Sequence, residues 1–363
     1  QTAGDVYVLN YSGAAPSGQI ALPVPAGVSA LKTLDLFGWD GAAWQHVAAQ
    51  IDPAGTQAVV ANGPLPRALV FVQSTPPAAP VVAAELAPDA ALPADVTPLV
   101  GEVSVGPLLL GENGTLSGEV AELPEGAAES ARFLRLSNHG AVVDQAALTA
   151  LLVNAAIQDA QVSSVVGQAK AEGYAGVHLD YQGAPASQTA AFTGFVTKLA
   201  DALHAEGLQL ALTLGLPAAV EGGWDSGGQD WAALGRLADV VYVQMPLDPT
   251  AYGPGELAEQ LVAQAAGQID RHKLNLLLTA GAVNKVGDTF SELPAEQALA
   301  DLGTLEFVDG AAEIDPGATV EVALSGSASP LEWDGEALAY RYSYEQAGQT
   351  QTVWFITEAA LVD

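Results

Sequence analysis

Residues able to do chemistry crowd into one short run. Gly173-Tyr174-Ala175-Gly176-Val177-His178-Leu179-Asp180-Tyr181-Gln182-Gly183 sets an imidazole, a carboxylate, a phenol and a carboxamide into an otherwise apolar strand. The Asp180 carboxylate, when ionised, is an acceptor of hydrogen bonds. The carboxamide of Gln182 can hydrogen-bond an oxygen through its NH2 group, but it has no proton to give near neutral pH.

Other chemistries lack their residues. The five histidines stand at positions 46, 139, 178, 204 and 272, without the spacing of a metal site. There is no Gly-x-Ser-x-Gly elbow and no Gly-x-x-x-x-Gly-Lys phosphate loop, so serine hydrolase and nucleotide readings have no support. With no cysteine, neither a disulfide framework nor a thiolate metal site is available. No metal and no cofactor are expected. Asn10-Tyr11-Ser12 and Asn113-Gly114-Thr115 are glycosylation sequons, short enough to arise by chance.

The elements that must position these residues alternate between apolar strands and helical periodicity, as in a parallel α/β architecture. Strands are expected at 102–110 and 132–137, the second ending at Asn138-His139-Gly140. Asp144 caps a helix carrying Leu148, Leu151 and Leu152, and another helix near 158–171 stops at Gly173. The strand 176–181 follows. Residues 187–206 put Phe192, Phe195, Val196, Leu199 and Leu203 on one helical face, and Gly207 ends that helix before a strand at 208–214. Asp230 caps a short helix through 237. A strand at 240–244, a helix at 256–269 and a strand at 273–279 repeat the unit. Beyond position 280 the pattern turns β-rich, at 319–324, 337–344 and 350–355.

Residues 1–75 read differently, as short strands at 6–10, 19–22, 31–39, 44–50, 57–61 and 68–73 divided by turn residues. A small all-β sandwich fits them. Trp39-Asp40-Gly41-Ala42-Ala43-Trp44 predicts a hairpin whose tryptophans serve either as a sugar platform or as cover for a core. Residues 76–100 form a Pro/Ala-rich connector with prolines at 76, 77, 80, 88, 93 and 98, expected to be semi-rigid and extended.

Composition bounds the class. In 363 residues, 50% hydrophobic content against 15% charged supplies a sizeable core. Eleven Lys and Arg against 42 Asp and Glu give a net charge of −31, which opposes nucleic acid and anionic lipid and reads as a solvated acidic surface. No 18-residue apolar run occurs, so membrane insertion is not expected. A start at Gln1 without an apolar leader is the expectation for a processed, secreted or cell-surface chain.

The run at 173–183 resembles the signature strand of glycoside hydrolase family 18, the chitinases and related N-acetylglucosaminidases, which reads Asp-Gly-x-Asp-x-Asp-x-Glu. Gly176, Asp180 and Tyr181 fit. Ala175, His178 and Gln182 stand where the family has Asp, Asp and the catalytic Glu. The segment 239–248 resembles the family's Met-x-Tyr-Asp strand end, with Leu247 in place of its Tyr. Tyr340-Arg341-Tyr342-Ser343-Tyr344 and Val353-Trp354-Phe355 resemble the aromatic hairpin of spore-cortex members. The resemblance covers roughly residues 101–363.

It implies a (β/α)8 TIM-type barrel with a β-rich insertion at about 281–355. The barrel would be incomplete at its C-terminal end, because the chain stops at Asp363 before the last helix and closing strand. Another chain or copy, the N-terminal module or part of a longer precursor would then cover the open edge. The resemblance further implies that the substrate's own acetamide is the nucleophile and that Asp180 orients it. A glycan site would be built from Asp180, Tyr181, Gln182, Asn138 and Gln244, with His178 a degenerate neighbour and Asp248 and Trp354 peripheral. The alternative is that these inward polar groups satisfy one another inside the barrel.

Three functions follow as expectations. The first is a non-catalytic family 18-like extracellular protein, binding an N-acetylglucosamine-containing glycan or serving a structural role at the cell surface. The second is an active N-acetylglucosaminidase or chitinase that uses another acid or carries an engineered Gln182. The altered Ala175, His178 and Leu247 weigh toward natural loss over engineering. The third is a subunit of an extracellular sheath, layer or filament.

Overall fold

A computed structural model describes residues 2–28, 30–52, 54–75, 81–88, 92, 96–120, 130–140, 142–221, 223–279, 281–307, 322–326 and 328–356. The chain divides into two compact units, residues 1–244 with 263–276, and residues 245–262 with 277–363.

The first unit opens with seven short strands: β1 (Thr2–Val8), β2 (Ser17–Pro23), β3 (Leu34–Trp39), β4 (Trp44–His46), β5 (Ala49–Ile51), β6 (Gln57–Pro64) and β7 (Ala68–Gln73). They make two antiparallel sheets, ordered β1-β7-β3-β4 and β2-β6-β5. Period-two alternation sends Leu34 and Leu36, Leu69 and Phe71, and Ala58 and Val60 to one side of their strands, where they close a core with Leu22. This is the expected small β-sandwich. In the β3–β4 hairpin, the Asp40 carboxylate accepts from the Ala42 and Ala43 amides at 2.7 and 2.8 Å. Trp39 and Trp44 pack edge to face at 5.6 Å and remain 36% and 41% exposed.

Within the stretch read as a connector, β8 (Val82–Leu86) is a strand. It lies parallel to β9 (Val100–Leu110), from Val82 opposite Val100 to Leu86 opposite Val105. The short apolar run ending in buried Leu86 is the physical reason. The prolines at 76, 77, 80 and 93 fall outside the described residues.

The sheet continues through β10 (Leu116–Ser117), β11 (Ala131–Ser137), β12 (Gly176–Asp180), β13 (Gln209–Leu214), β16 (Val240–Gln244) and β17 (Leu274–Leu277). Between β11 and β12 come helices α1 (Gln145–Leu152) and α2 (Ala155–Ala171), and α3 (Thr189–Ala205) precedes β13. A small hairpin of β14 (Ala218–Val220) and β15 (Gly223–Asp225) and then α4 (Trp231–Leu237) separate β13 from β16, and α5 (Leu257–Gln268) precedes β17. Asp144, Asn154 and Asp230 cap α1, α2 and α4 by accepting first-turn amides.

Strand order is β10-β9-β11-β12-β13-β16-β17, with β8 beside β9 on the edge away from β11, and β8, β9, β11, β12, β13 and β16 pair in parallel. The curled sheet with its helices is an incomplete (β/α)8 barrel. Among the described residues no ladder joins β17 back to β8. Leu134, Leu136, Val177, Leu179, Leu210, Leu212, Val241 and Val243 are buried on one face of the sheet. Phe192, Phe195, Val196, Leu199 and Leu203 of α3 are likewise at most 1% exposed. Each such side chain contributes about 1.5–3 kcal/mol by leaving water. At Gly176, a Cβ would lie 2.0 Å from the Gln209 carbonyl oxygen, so β12 and β13 can pair there only around a glycine.

Asp35 of β3 is 5% exposed, and the Arg271 guanidinium ahead of β17 donates to it from two nitrogens at 2.6–2.9 Å. The sandwich is thereby pinned to the barrel inside one compact unit.

The second unit contains β18 (Ala282–Val286), β19 (Thr289–Leu293), α6 (Ala295–Leu302), β20 (Thr304–Phe307), β21 (Val322–Ser325), β22 (Glu332–Asp334), β23 (Ala339–Gln346) and β24 (Gln349–Phe355). Its main sheet is ordered β19-β18-β24-β23-β22, and Ala282, Ala298, Leu302, Tyr342 and Val353 form its core with α6. Of the strand expected at 319–324, residues 319–321 lie outside the described residues. No helix among the described residues is long and apolar enough to cross a membrane.

Candidate functional site

The two-residue period of β12 puts His178, Asp180 and, just past its end, Gln182 on the face opposite the helices. Asp180 is 1% exposed, and both of its oxygens are used. Oδ2 accepts from Arg135 Nη2 at 2.6 Å and lies 2.9 Å from His139 Nε2, while Oδ1 accepts from Gln182 Nε2 at 2.8 Å. Burial by itself would raise the Asp180 carboxyl, but the His139 hydrogen bond and the Arg135 charge together outweigh it and hold the group far below the usual carboxylate range. The same hydrogen bond raises His139 above its ordinary value, against a smaller opposing effect of burial. Asp180 is thus an ionised anchor, unfit to donate a proton.

Gln182 is 8% exposed and bonded on every side. Its Nε2 also donates to the Thr213 carbonyl at 3.2 Å, and its Oε1 accepts from Gln229 Nε2 at 3.4 Å. A Cβ at Gly215 would sit 2.4 Å from that Oε1, so the glycine makes room for the amide. Asn138 brackets the backbone of position 182, with Oδ1 accepting from its N–H at 2.7 Å and Nδ2 donating to its carbonyl at 2.9 Å. Gln244 accepts from the Leu216 amide at 3.3 Å and steadies the loop after β13.

His178 lies deeper, 1% exposed, between the Ser104 hydroxyl at 2.8 Å and the Thr213 hydroxyl at 2.7 Å. Burial pushes this imidazole down to about 4, so it is neutral at physiological pH. Its ring packs on Tyr242 at 4.9 Å, and the Tyr242 hydroxyl donates to Glu102 at 2.5 Å. Arg135 also pairs with Glu85 of β8 at 2.9 Å.

The structure therefore gathers Asp180, Gln182 and Asn138 into one network, with His178 beneath it and Gln244 at the loop beside it. Tyr181 is not among them. Its phenol is fully buried on the helix side, stacked on Phe195 at 6.2 Å. Ala175 stands at the amino end of β12, bonded through its backbone to Arg132 and Gln209. Asp248 accepts from the Thr250 amide at 2.9 Å, and buried Trp354 donates to Asp334 at 3.1 Å, both within the second unit.

Sequence reasoning missed Arg135, His139, Gln229 and Thr213 as members of the network. Arg135 carried a signal, a cation within an apolar strand, whereas Gln229 in a loop carried none. Among the described residues no group of three or more His, Asp or Glu side chains is gathered as metal ligands would be. A hollow of about 810 Å³ in the second unit, with Leu247, Tyr252, Leu278 and Glu336 on its walls, includes none of the Asp180 network. The candidate site is placed at Asp180 because charged and hydrogen-bonding groups converge there, which cavity size alone does not provide.

The incomplete (β/α)8 barrel has the architecture of chitinase-like barrels. The chain is similar in structure to the chitinase of Chromobacterium violaceum, with a TM-score of 0.54 at 19% identity over 78% of this chain and 88% of that one. It is also similar to the spore cortex-lytic enzyme SleL of Bacillus megaterium, with a TM-score of 0.52 at 15% identity over 82% and 69%. A Glu-to-Gln mutant of the class V chitinase of Nicotiana tobaccum, solved in complex with NAG4, gives a TM-score of 0.50 at 11% identity over 77% and 87%. No family model matches the sequence, and no curated protein matches it. At these identities the likeness is one of fold: the chain has the family 18 chitinase fold.

Proposed function

We propose that this protein is a non-catalytic relative of the family 18 hydrolases that binds an N-acetylglucosamine-containing glycan, or serves a structural role, outside the cell or at its surface. The observation that carries the reading is Gln182. At the end of the central strand stands a carboxamide whose NH2 group is committed to Asp180 and Thr213, so leaving-group protonation has no donor there. The chitinase fold and the NAG4 complex of the tobacco chitinase mutant support a glycan as partner. The net charge of −31 suits a soluble extracellular surface. The test is incubation with chitin oligosaccharides and with peptidoglycan glycan strands. No product is expected, and turnover abolished by Asp180→Asn would overturn the reading.

One observation favours a second reading, hydrolysis with an acid drawn from another loop. His139 is the more exposed of the two groups that face Asp180 Oδ2, and its raised pKa keeps a proton available beside Asp180. Product release lost in His139→Ala would establish it.

The edge strand β17 supports an associated proposal, that another chain or copy covers the barrel edge. It pairs only with β16 among the described residues, and Leu276 is 42% exposed. A particle that stays monomeric at every concentration tested would remove the case for self-association.

A further inference from the structure

Away from Asp180, the loop after β13 and helices α4 and α5 enclose a recess of about 180 Å³ with Trp224, Ser226, Asp230, Trp231, Gln264 and Gln268 on its walls. Three features mark it as built to hold something. Trp231 is 5% exposed, and its indole N–H is buried with no hydrogen-bond partner among the described residues, a donor that a ligand oxygen would satisfy once the ring shifts toward the recess. Gln264 has its Oε1 engaged by Gln50 Nε2 at 3.1 Å, which leaves its NH2 group to donate. Gln268 is half-buried, and its carboxamide makes no hydrogen bond among the described residues.

The wall is also set in advance. Gly227 N–H donates to Asp225 at 2.9 Å, Ser226 donates to the Gln229 carbonyl at 2.7 Å, and Gly228 N–H donates to the Ala184 carbonyl at 2.7 Å. A Cβ at Gly228 would meet that same carbonyl oxygen at 2.7 Å, so the loop seats against Ala184 only as glycine. Such a loop pays little ordering entropy when a ligand arrives.

The chemistry of the wall selects the ligand. Two indoles favour an apolar C–H face, one of them also requires an acceptor oxygen, and two carboxamides and a carboxylate take hydroxyl groups. No Lys or Arg lines the recess, and Asp230 disfavours anions. Its volume falls below the roughly 300–1,000 Å³ of drug-sized sites, which limits the occupant to about one ring. We propose that this recess binds a single neutral pyranose unit, with Trp224 as the apolar wall, Trp231 Nε1 donating to a sugar oxygen, and Asp230, Gln264 and Gln268 binding its hydroxyls. The site is independent of the reading of Asp180 and Gln182.

The test titrates the full chain with N-acetylglucosamine, glucose and galactose, and separately with choline as a cationic probe, by tryptophan fluorescence and saturation-transfer NMR. Saturable binding of at least one sugar in the millimolar range is expected. Trp224→Ala should weaken it about tenfold or more, and Gln268→Ala several-fold. If Trp224→Ala does not fold, the half-buried Gln268→Ala decides. Silence of all three sugars at about 100 mM, or binding of choline alone, overturns the proposal. Sugar binding that survives both substitutions unchanged also overturns it, while leaving the Asp180 site standing.

Discussion

Arg135 Nη2 and Asp180 Oδ2 meet at 2.6 Å across adjacent parallel strands, with Ser137 of β11 opposite Asp180 in the ladder. The carboxylate is 1% exposed, so its charge is tolerated only because the guanidinium and His139 face it.

Removing one side of that pair leaves an uncompensated buried charge. Arg135→Met should destabilise the first unit by about 3–5 kcal/mol. Arg135→Met combined with Asp180→Asn should recover much of the loss. Urea unfolding of the two single variants and the double variant checks this, and equal losses in Arg135→Met with and without Asp180→Asn would contradict it.

His178 makes stability fall on the acid side. The native imidazole holds no proton until about pH 4, whereas the unfolded chain takes one near 6.5. Stability is therefore full above 6.5 and declines as pH drops from 6.5 toward 4, by up to about 3 kcal/mol. Urea midpoints across that window should flatten in His178→Asn.

His139 acts with the opposite sign. Its native pKa is raised, so its contribution is fully present below 6.5 and is lost as pH rises through the native value. A histidine resonance titrating above 6.5 should disappear in His139→Gln and move down in Asp180→Asn. An NMR titration of the imidazole protons reads both.

Gln182→Glu would set a second carboxyl 2.8 Å from Asp180 Oδ1 and against the Thr213 carbonyl oxygen. Two carboxylates at that distance share a proton, so the new group's pKa should rise. The variant should lose about 1–3 kcal/mol at pH 8 and regain most of it near pH 5. Denaturation at the two pH values distinguishes this from a loss that ignores pH.

Much of the barrel was legible because its elements obey simple periods. The stripe at Phe192, Phe195, Val196, Leu199 and Leu203 stops at Gly207, whose φ of +71° suits the turn into β13. β8 was hidden because its short run Val82–Leu86 lies among prolines, and only pairing with β9 makes it a strand. Strand alternation separates Tyr181 from Asp180 and Gln182, so its place against Phe195 was readable in principle. The pairing of Asp180 with its partners was not readable, although Arg135 stood out as a cation within an apolar strand. Arg135 and His139, on β11 and the turn after it, and Gln229, in the loop before α4, reach the network from two other segments, and sequence spacing carries no information about that convergence.

Asn138 holds position 182 by its amide and carbonyl alone, as a neighbouring strand would. The anchorage therefore ignores which side chain the residue bears. Substitution can change the side chain there while the main chain keeps its course, so what the strand end presents is separable from the architecture that presents it.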